Sequence, residues 1–198
     1  MNSIAIIQTY YDDPNYLQQA IKTWNTYEIP ISIILIDDGS PQYPASEVLS
    51  QFTISNNVNV SLYKVTEDIG FNSHGCRNLG AAVSKSDWLI FLDIDHFLDS
   101  DQLNEIHKMK LSEDSWYGFT TIYNGHNLLM GGGPSNTFMC TKTMYEQGGG
   151  YDALVNLAFI MGLAKLIDLA TGVNAQIIGT SNYWKFDFLT NVLFVVVS

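Results

Sequence analysis

The chain has 198 residues, of which 46% are hydrophobic and 15% are charged, and its formal net charge is −11. This composition is that of a globular protein rather than a disordered one, and the length suits one α/β domain. Nine basic residues against twenty acidic ones, without a cluster of lysine and arginine, argue against nucleic acid as a partner.

Four apolar, β-branched runs in the first half predict strands that alternate with helices. The runs begin at residues 3, 31, 58 and 87, and their spacing of 27 to 29 residues is the length of a strand plus its crossover helix. The helices predicted after them begin at Asp13-Pro14, cover residues 45–52 and 74–83, and run from Asp99 or Ser100 to residue 109. This alternation predicts an α/β fold with a mostly parallel central sheet flanked by helices.

After residue 110 the alternation stops. Residues 116–123 and 137–140 are predicted strands on either side of a glycine-rich loop, and a predicted helix ends at glycines 148–150. Residues 153–170 form a long apolar helical pattern. Because no linker, repeat or low-complexity tract divides the chain, we predict a single domain over residues 1–198.

The sequence contains no apolar run of the length, about 18 residues, that a transmembrane helix needs. The N-terminus lacks the basic stretch of a signal peptide, and Cys76 and Cys140 form neither a metal-type spacing nor a disulfide framework. We therefore expect a cytoplasmic location. The apolar residues 192–197 have three interpretations: a final strand, a surface for a partner or for peripheral contact with the inner face of a membrane, or the mark of a truncation.

Carboxylates follow three of the four predicted strands of the first half, where parallel α/β sheets bind their ligands. Asp93 and Asp95 leave a buried strand on the same side, so both can converge on one cation. Two carboxylates suit a hard ion such as Mg²⁺ or Mn²⁺, which can bridge substrate phosphates. The alternative is a solvated turn whose aspartates cap the next helix. We interpret His96 as a surface histidine rather than a ligand.

Two further groups have both a functional and a structural interpretation. Asp37 and Asp38 precede Gly39, which is typical of a turn, but a carboxylate there can also accept hydrogen bonds from a base or ribose. Arg77 is the only arginine of the chain. It suits bidentate recognition of phosphate or carboxylate, and the alternative is a salt bridge to an aspartate.

The order of four short motifs resembles that of family 2 glycosyltransferases, which have the GT-A fold and use nucleotide-sugar donors. The motifs are Thr9-x-Tyr11, I-D-D-G-S at residues 36–40, G-x-N-x-x-x-x-R-N-x-G at residues 70–80 and F-L-D-I-D at residues 91–95. The resemblance covers residues 3–105. It implies a nucleotide-sugar (donor) binding half at residues 1–110 and an acceptor-side half, divergent or truncated, at residues 111–198.

The resemblance also implies a role for each motif residue on the donor side. Thr9 and Tyr11 would line the base pocket, and Asp38 would hydrogen-bond the nucleobase with Asp37 close by.

Arg77 would lie near the base or the diphosphate. Asp93 would lie at the ribose and the metal, and Asp95 would coordinate Mn²⁺ or Mg²⁺. Such a cation would offset the field of a protein of charge −11 where the diphosphate binds.

The second half departs from the family pattern. Residues 149–152 resemble the G-G-Y-D-E segment near the acceptor site, but Ala153 stands where glutamate is common, and the acidic pair often found downstream is missing. Asp152 is the nearest candidate for the base that accepts the proton of the acceptor hydroxyl. Its alternative role is a helix N-cap.

We therefore predict a metal-dependent, inverting glycosyltransferase that moves a sugar from a UDP- or GDP-linked donor to a hydroxyl on a glycan or related acceptor. The first alternative is a catalytically inactive GT-A-like module that binds nucleotide-sugar, which the missing acidic pair favours. A sugar nucleotidyltransferase is the second alternative, and the lack of a glycine- and basic-rich phosphate loop after the first strand opposes it.

Overall fold

The computed structural model describes residues 3–70, 72–123, 126–127, 137–151 and 193–197. Its elements, in chain order, are β1 Ile4–Tyr10, α1 Pro14–Trp24, β2 Ile31–Asp37, α2 Ala45–Leu49, β3 Val58–Lys64, α3 Ser73–Val83, β4 Trp88–Asp93, α4 Ser100–Lys108, β5 Tyr117–Tyr123, β6 His126–Asn127, β7 Phe138–Thr141, α5 Lys142–Gln147 and β8 Leu193–Val197. The alternating strands and helices predicted for the first half are confirmed. The helical pattern at residues 153–170 lies outside the described residues.

The strands form one mixed sheet in the order β3-β2-β1-β4-β7-β5-β6, and β8 pairs with β5. The four strands of the first half are parallel neighbours, as the spacing predicted. The antiparallel pairs all involve the second half, since β7 inserts between β4 and β5 and runs antiparallel to both. The predicted α/β fold with a mostly parallel central sheet is therefore confirmed.

Apolar residues on both faces of β1, β2 and β4 explain why these strands lie at the centre. Alternate residues point to opposite faces of a strand. Ile6, Ile33 and Ile90 are buried in one core cluster, together with residues of α1 and α4. Their neighbours Ile7 and Phe91 belong to a second cluster on the other face, with residues of α3 and α5. The unbroken apolar runs of the sequence thus correspond to strands covered by helices on both sides.

The helix starts follow the predicted capping residues. Asp13 accepts a hydrogen bond from the Tyr16 amide at 3.2 Å, and Pro14 occupies the first turn of α1. Asp99 caps α4 and forms a reciprocal capping box with Gln102. Both caps satisfy amides that a helix start leaves without an intrahelical partner.

The apolar segment at the end of the sequence is a strand over Leu193–Val197, parallel to β5. Among the three interpretations of residues 192–197, the final strand is therefore the one with structural support. None of the helices that the structure describes is long and apolar enough to cross a membrane. The cytoplasmic location and the peripheral membrane contact stay predictions.

The contact between α3 and β1 depends on Gly80. A Cβ at this position would lie 2.4 Å from Cγ2 of the buried, β-branched Ile7. Gly80→Ala should therefore lower the free energy of unfolding by about 1–2 kcal/mol, because overpacking outweighs the gain in helix propensity. Urea denaturation of the variant and the parent chain measures this difference.

Ala82→Gly is the matched control on the exposed face of the same helix. It should cost about 1 kcal/mol through helix propensity alone. A Gly80→Ala variant as stable as the parent chain would show that α3 can move away from β1 without lowering the free energy of unfolding. The close contact of Gly80 with Ile7 would then not be needed for stability.

Candidate functional site

The loops that follow β1, β2 and β4 meet at one edge of the sheet. In the register of these parallel strands, Thr9 of β1 lies beside Ile36 of β2 and beside Asp93 of β4. Neighbouring strands lie about 4.8 Å apart, so the ends of β2 and β4 are separated by about 10 Å across β1. The predicted site residues on these loops therefore share one end of the sheet.

Asp93, Asp95 and His96 form a cluster directly after β4. Each offers one ligand atom, and these atoms all lie within 4.8 Å of one another. The His96 amide donates to the Asp93 carbonyl at 3.0 Å, and this turn brings the histidine beside the two carboxylates. The structure brings together the two aspartates that were expected to converge. It adds His96, which the sequence interpretation had left outside the site.

Polar contacts from β1 and from the residue that precedes β7 hold this turn. Nδ1 of His96 lies 2.6 Å from the hydroxyl of Thr137. The buried amide of Gln8 donates to the carbonyls of Asp93 and His96 at 3.2 and 3.4 Å, and Trp24 donates to the same side chain of Gln8 at 3.0 Å. Gln8 and Thr137 were not predicted as site residues, since their only signal in the sequence is a polar residue in or beside an apolar strand.

The Asp93, Asp95 and His96 cluster fits a hard divalent cation of the Mn²⁺ or Mg²⁺ type. Octahedral ligands at about 2.1 Å from an ion lie no more than about 4.2 Å apart, so small side-chain rotations would bring the three groups into range. One carboxylate oxygen of Asp93 is paired with Arg77. Ligand sets in which most atoms are carboxylate oxygens suit Mg²⁺ and Mn²⁺.

Arg77 is 1% exposed and forms an ion pair with Asp93. Its guanidinium also donates to the Ser73 hydroxyl at 3.3 Å and lies 5.3 Å from the ring centroid of Tyr151. The structural interpretation of Arg77, a salt bridge to an aspartate, is the contact observed, and that aspartate belongs to the cluster. Because arginine–carboxylate pairs are directional, Arg77 orients Asp93. Its contact with the base or the diphosphate stays a prediction.

The two aspartates after β2 have different environments, although the sequence left both interpretations open for each. Asp37 accepts hydrogen bonds from the Ser40 and Ala45 amides, both at 2.8 Å, so both of its oxygens are occupied in fixing the turn and the start of α2. Asp38 is 3% exposed and accepts from the Asn72 amide at 2.8 Å through Oδ2. Its Oδ1 accepts no hydrogen bond within the described part of the chain.

Burial raises the pKa of Asp38 above its ordinary value, and hydrogen bonds from the Cys76 thiol and from Asn72 act in the opposite direction. Desolvation disfavours the charged form of a carboxyl group. A buried carboxylate oxygen without a donor is costly, and an N–H group of a ligand would remove that cost. Asp38, rather than Asp37, is therefore the residue placed to bind a ligand.

An exposed tyrosine stands beside these aspartates. The Tyr11 side chain is 43% exposed, and its hydroxyl donates to Asp68 at 3.0 Å. Thr9, two residues earlier in β1, is half-buried. Asp12 has a positive φ of 45°. It accepts hydrogen bonds from the amides of two residues after β2, and these bonds join the loop after β1 to the loop after β2.

Tyr151, in the segment that resembles the acceptor-side motif, lies next to Arg77. Gly149 and Gly150 have φ values of 82° and 68°, which favour glycine. The next residue, Tyr151, presents its ring to Arg77 at 5.3 Å and stacks on His74 with the ring centroids 4.7 Å apart. Asp152, the candidate base, lies outside the described residues.

Residues 3–115 match the profile of the family described as glycosyltransferase like family 2. The chain belongs to this family. An uncharacterized glycosyltransferase of Haemophilus influenzae is 32% identical over 106 residues, which are 53% of this chain and 41% of that protein. The chain thus spans less than half the length of this relative.

Solved structures share the fold of this chain. The mannosyltransferase PcManGT from Pyrobaculum calidifontis, in complex with GDP-Man and Mn²⁺, has a TM-score of 0.64 at 12% identity over 99% of this chain and 56% of its own. S. aureus TarS, as residues 1–349, has a TM-score of 0.61 at 13% identity over 74% and 49%. These similarities confirm the GT-A-like fold of this family 2 chain.

The part of the chain that matches family 2 contains every donor-side residue predicted from the sequence. Thr9, Asp38, Arg77 and the cluster after β4 all lie within residues 3–115. Tyr151 lies beyond the match, and so does Asp152. The family match therefore covers the residues predicted for the donor side and does not extend to the segment predicted for the acceptor side.

Proposed function

We propose that this chain carries the donor site of a metal-dependent glycosyltransferase that transfers a sugar from a nucleoside diphosphate to a hydroxyl of a glycan or related acceptor, with inversion. One arrangement carries the proposal. A carboxylate and histidine cluster follows β4, and Asp38, whose Oδ1 is buried, follows β2. These two strands lie two strand spacings apart, about 10 Å. That is the scale on which a nucleotide extends from its base to its phosphates.

The nucleobase end of the donor is proposed to lie at Asp38. Guanine and uracil both carry a ring N–H that can donate to a carboxylate, so Asp38 Oδ1 would accept from the base. The exposed ring of Tyr11 would stack on the base or ribose, and Thr9 would line the same pocket. Asp37 would hold the turn that presents Asp38. The GDP-Man bound to PcManGT supports a nucleotide-sugar donor of this type.

The diphosphate end is proposed to lie at Asp93 and Asp95, which with His96 would hold Mn²⁺ or Mg²⁺. When bound, this ion would neutralise the phosphates and stabilise the departing nucleoside diphosphate. Arg77 would keep the Asp93 carboxylate oriented toward the phosphate side. The Mn²⁺ in PcManGT supports a divalent ion, and a protein of charge −11 needs local positive charge to bind an anionic donor.

In the transfer step, Asp152 is proposed as the base. Its carboxylate would accept the proton of the acceptor hydroxyl while that oxygen attacks the anomeric carbon and the bond from that carbon to the diphosphate oxygen breaks. Attack from the side opposite the leaving group inverts the anomeric centre. Asp152 directly follows Tyr151, whose ring lies against Arg77, and this proximity in the chain supports the assignment.

A catalytically inactive module that binds nucleotide-sugar is the second candidate. Residues 153–163, which follow Asp152, contain no aspartate or glutamate. The acidic pair that often supplies the base in the family is therefore missing from this stretch. Binding alone needs only the donor-side residues, whereas transfer also needs a base.

Calorimetric titration of UDP and GDP, each with Mn²⁺ and again with EDTA, tests the donor site. We expect one nucleotide to bind with Mn²⁺ and to lose at least about tenfold in affinity with EDTA, because the ion bridges protein and phosphate. Binding of neither nucleotide would overturn the proposal. Release of nucleoside diphosphate from a panel of UDP- and GDP-sugars, offered with glycan acceptors, then separates the transferase from the inactive module.

A further inference from the structure

Asn78 follows Arg77 in α3 and forms a two-sided clamp on the backbone of Tyr151. Its Nδ2 donates to the Tyr151 carbonyl at 2.9 Å, and the Tyr151 amide donates to its Oδ1 at 2.9 Å. The Tyr145 hydroxyl donates to the same Oδ1 at 2.6 Å. One of these hydrogen bonds joins α3, in the donor-side half, to α5, and the other two join it to the segment that follows α5 in the acceptor-side half.

The glycine before Tyr151 is needed for this close approach. Gly150 is buried and has a φ of 68°, and a Cβ there would lie 2.6 Å from Oδ1 of Asn78. A side chain at Gly150 would therefore be strained and would displace the amide of Asn78. The lack of a side chain at Gly150, its positive φ and the hydrogen bonds of Asn78 all favour the contact between α3 and the backbone of Tyr151.

The clamp determines where the Tyr151 ring lies. With its backbone held by Asn78, Tyr151 packs its ring on Arg77, which is paired with Asp93 of the cluster. A line of contacts thus runs from the amide of Asn78 through Tyr151 and Arg77 to the end of β4. None of the assigned roles uses Asn78, although it lies within the G-x-N-x-x-x-x-R-N-x-G motif.

We propose that Asn78 is a positioning residue for transfer. It holds Gly150 and Tyr151 against α3. This contact keeps the acceptor-side segment, which continues in sequence to Asp152, at a fixed position relative to the donor site. This role rests on the proposed function, since it acts on the transfer step. Misplacement of a reacting group by about 1 Å can cost about a hundredfold in rate, whereas the donor contacts would be unaffected.

Asn25 offers a matched control. It ends α1, and its side chain forms the same kind of clamp, since Nδ2 donates to the Thr53 carbonyl at 2.9 Å and Oδ1 accepts from the Ser55 amide at 2.8 Å. Thr53 and Ser55 precede β3, so this second clamp lies at the opposite edge of the sheet from the site. Asn25→Ala and Asn78→Ala each remove a two-bond clamp on a backbone, but only the second touches the site.

The test compares Asn78→Ala, Asn25→Ala and the parent chain. With the donor that the parent uses, we expect kcat for transfer to fall between about tenfold and a hundredfold in Asn78→Ala. The nucleotide Kd with Mn²⁺ should stay within about twofold, and Asn25→Ala should keep the parent kcat. Equal kcat in the two variants, or a nucleotide Kd that rises in parallel with the loss of kcat, would overturn the inference.

Hydrogen exchange separates failure of the inference from failure of the proposed function. In Asn78→Ala the Tyr151 amide should exchange at least about fivefold faster, because it loses its acceptor, whereas Asn25→Ala should leave it unchanged. Unchanged exchange in Asn78→Ala overturns the inference whatever the activity. A parent chain that transfers no sugar overturns the proposed function, and with it the role in transfer.

Asn78→Asp, which keeps Oδ1 and the side-chain volume, provides a folded variant if Asn78→Ala is unstable. It too should lower kcat, since its second oxygen cannot donate to the Tyr151 carbonyl.

Discussion

The Asp95→Asn variant should lose metal-dependent nucleotide binding. Asparagine has nearly the same size but no charge, so it removes one of the two carboxylates of the cluster after β4 while leaving the packing in place. Changes in outer-shell residues alone cost about tenfold to a hundredfold in metal affinity, so loss of a ligand should cost at least that. Titration of the nucleotide with Mn²⁺ and with EDTA measures the effect, and the two curves should become similar.

Asp101→Asn is the matched control for this experiment. Asp101 is an exposed carboxylate in the first turn of α4, a few residues beyond the cluster, and it changes the net charge by the same amount. It should bind nucleotide as the parent chain does. If Asp95→Asn kept the affinity of the parent with and without Mn²⁺, the metal assignment would be wrong.

The Asp152→Asn variant should abolish transfer and spare donor binding. Asparagine at this position can still form hydrogen bonds but cannot accept a proton from the acceptor hydroxyl. General base catalysis contributes about a hundredfold to ten-thousandfold to a rate, so kcat should fall by that order. The nucleotide Kd with Mn²⁺ should remain that of the parent chain, because the proposed donor contacts lie at the ends of β1, β2 and β4 and on α3.

Glu146→Gln provides the control for Asp152→Asn. Glu146 is exposed on α5, where it pairs with Lys142 at 3.7 Å, and its loss should leave kcat unchanged. Turnover that survived in Asp152→Asn would exclude Asp152 as the base. Combined with intact donor binding, a parent chain without turnover would instead favour the inactive nucleotide-sugar module.

The sequence by itself determined the elements of the first half. Unbroken apolar runs predicted the central strands, and Asp13 and Asp99 were correctly predicted at helix starts. These features are local, because strand and helix periodicities and capping bonds involve residues that are close in the chain. Position after a strand also predicted that Asp93 and Asp95 would converge, because alternate residues leaving a strand point to the same side, and both lie in the observed cluster.

Only the tertiary structure distinguished between residues that the sequence treated alike. Asp37 and Asp38 are adjacent and chemically identical, yet the first has both oxygens bound by backbone amides and the second has one buried oxygen that accepts no hydrogen bond from the described residues. Their difference arises from the amides that α2 and the start of α3 bring to each side chain. Such contacts depend on the path of the chain and not on the residue type.

The same holds for the contacts that cross the two halves of the chain. Arg77 could have paired with any of many aspartates, and the fold places it against Asp93. His96 joins the cluster because the chain turns after β4, and Asn78 meets Tyr151 only because β7 inserts beside β4 and carries α5 and the following glycines back to α3. These partners lie far apart in sequence, so no local pattern encodes their proximity. The sequence alone determined which residue types were available for the chemistry, and the packing of distant segments decided which of them meet.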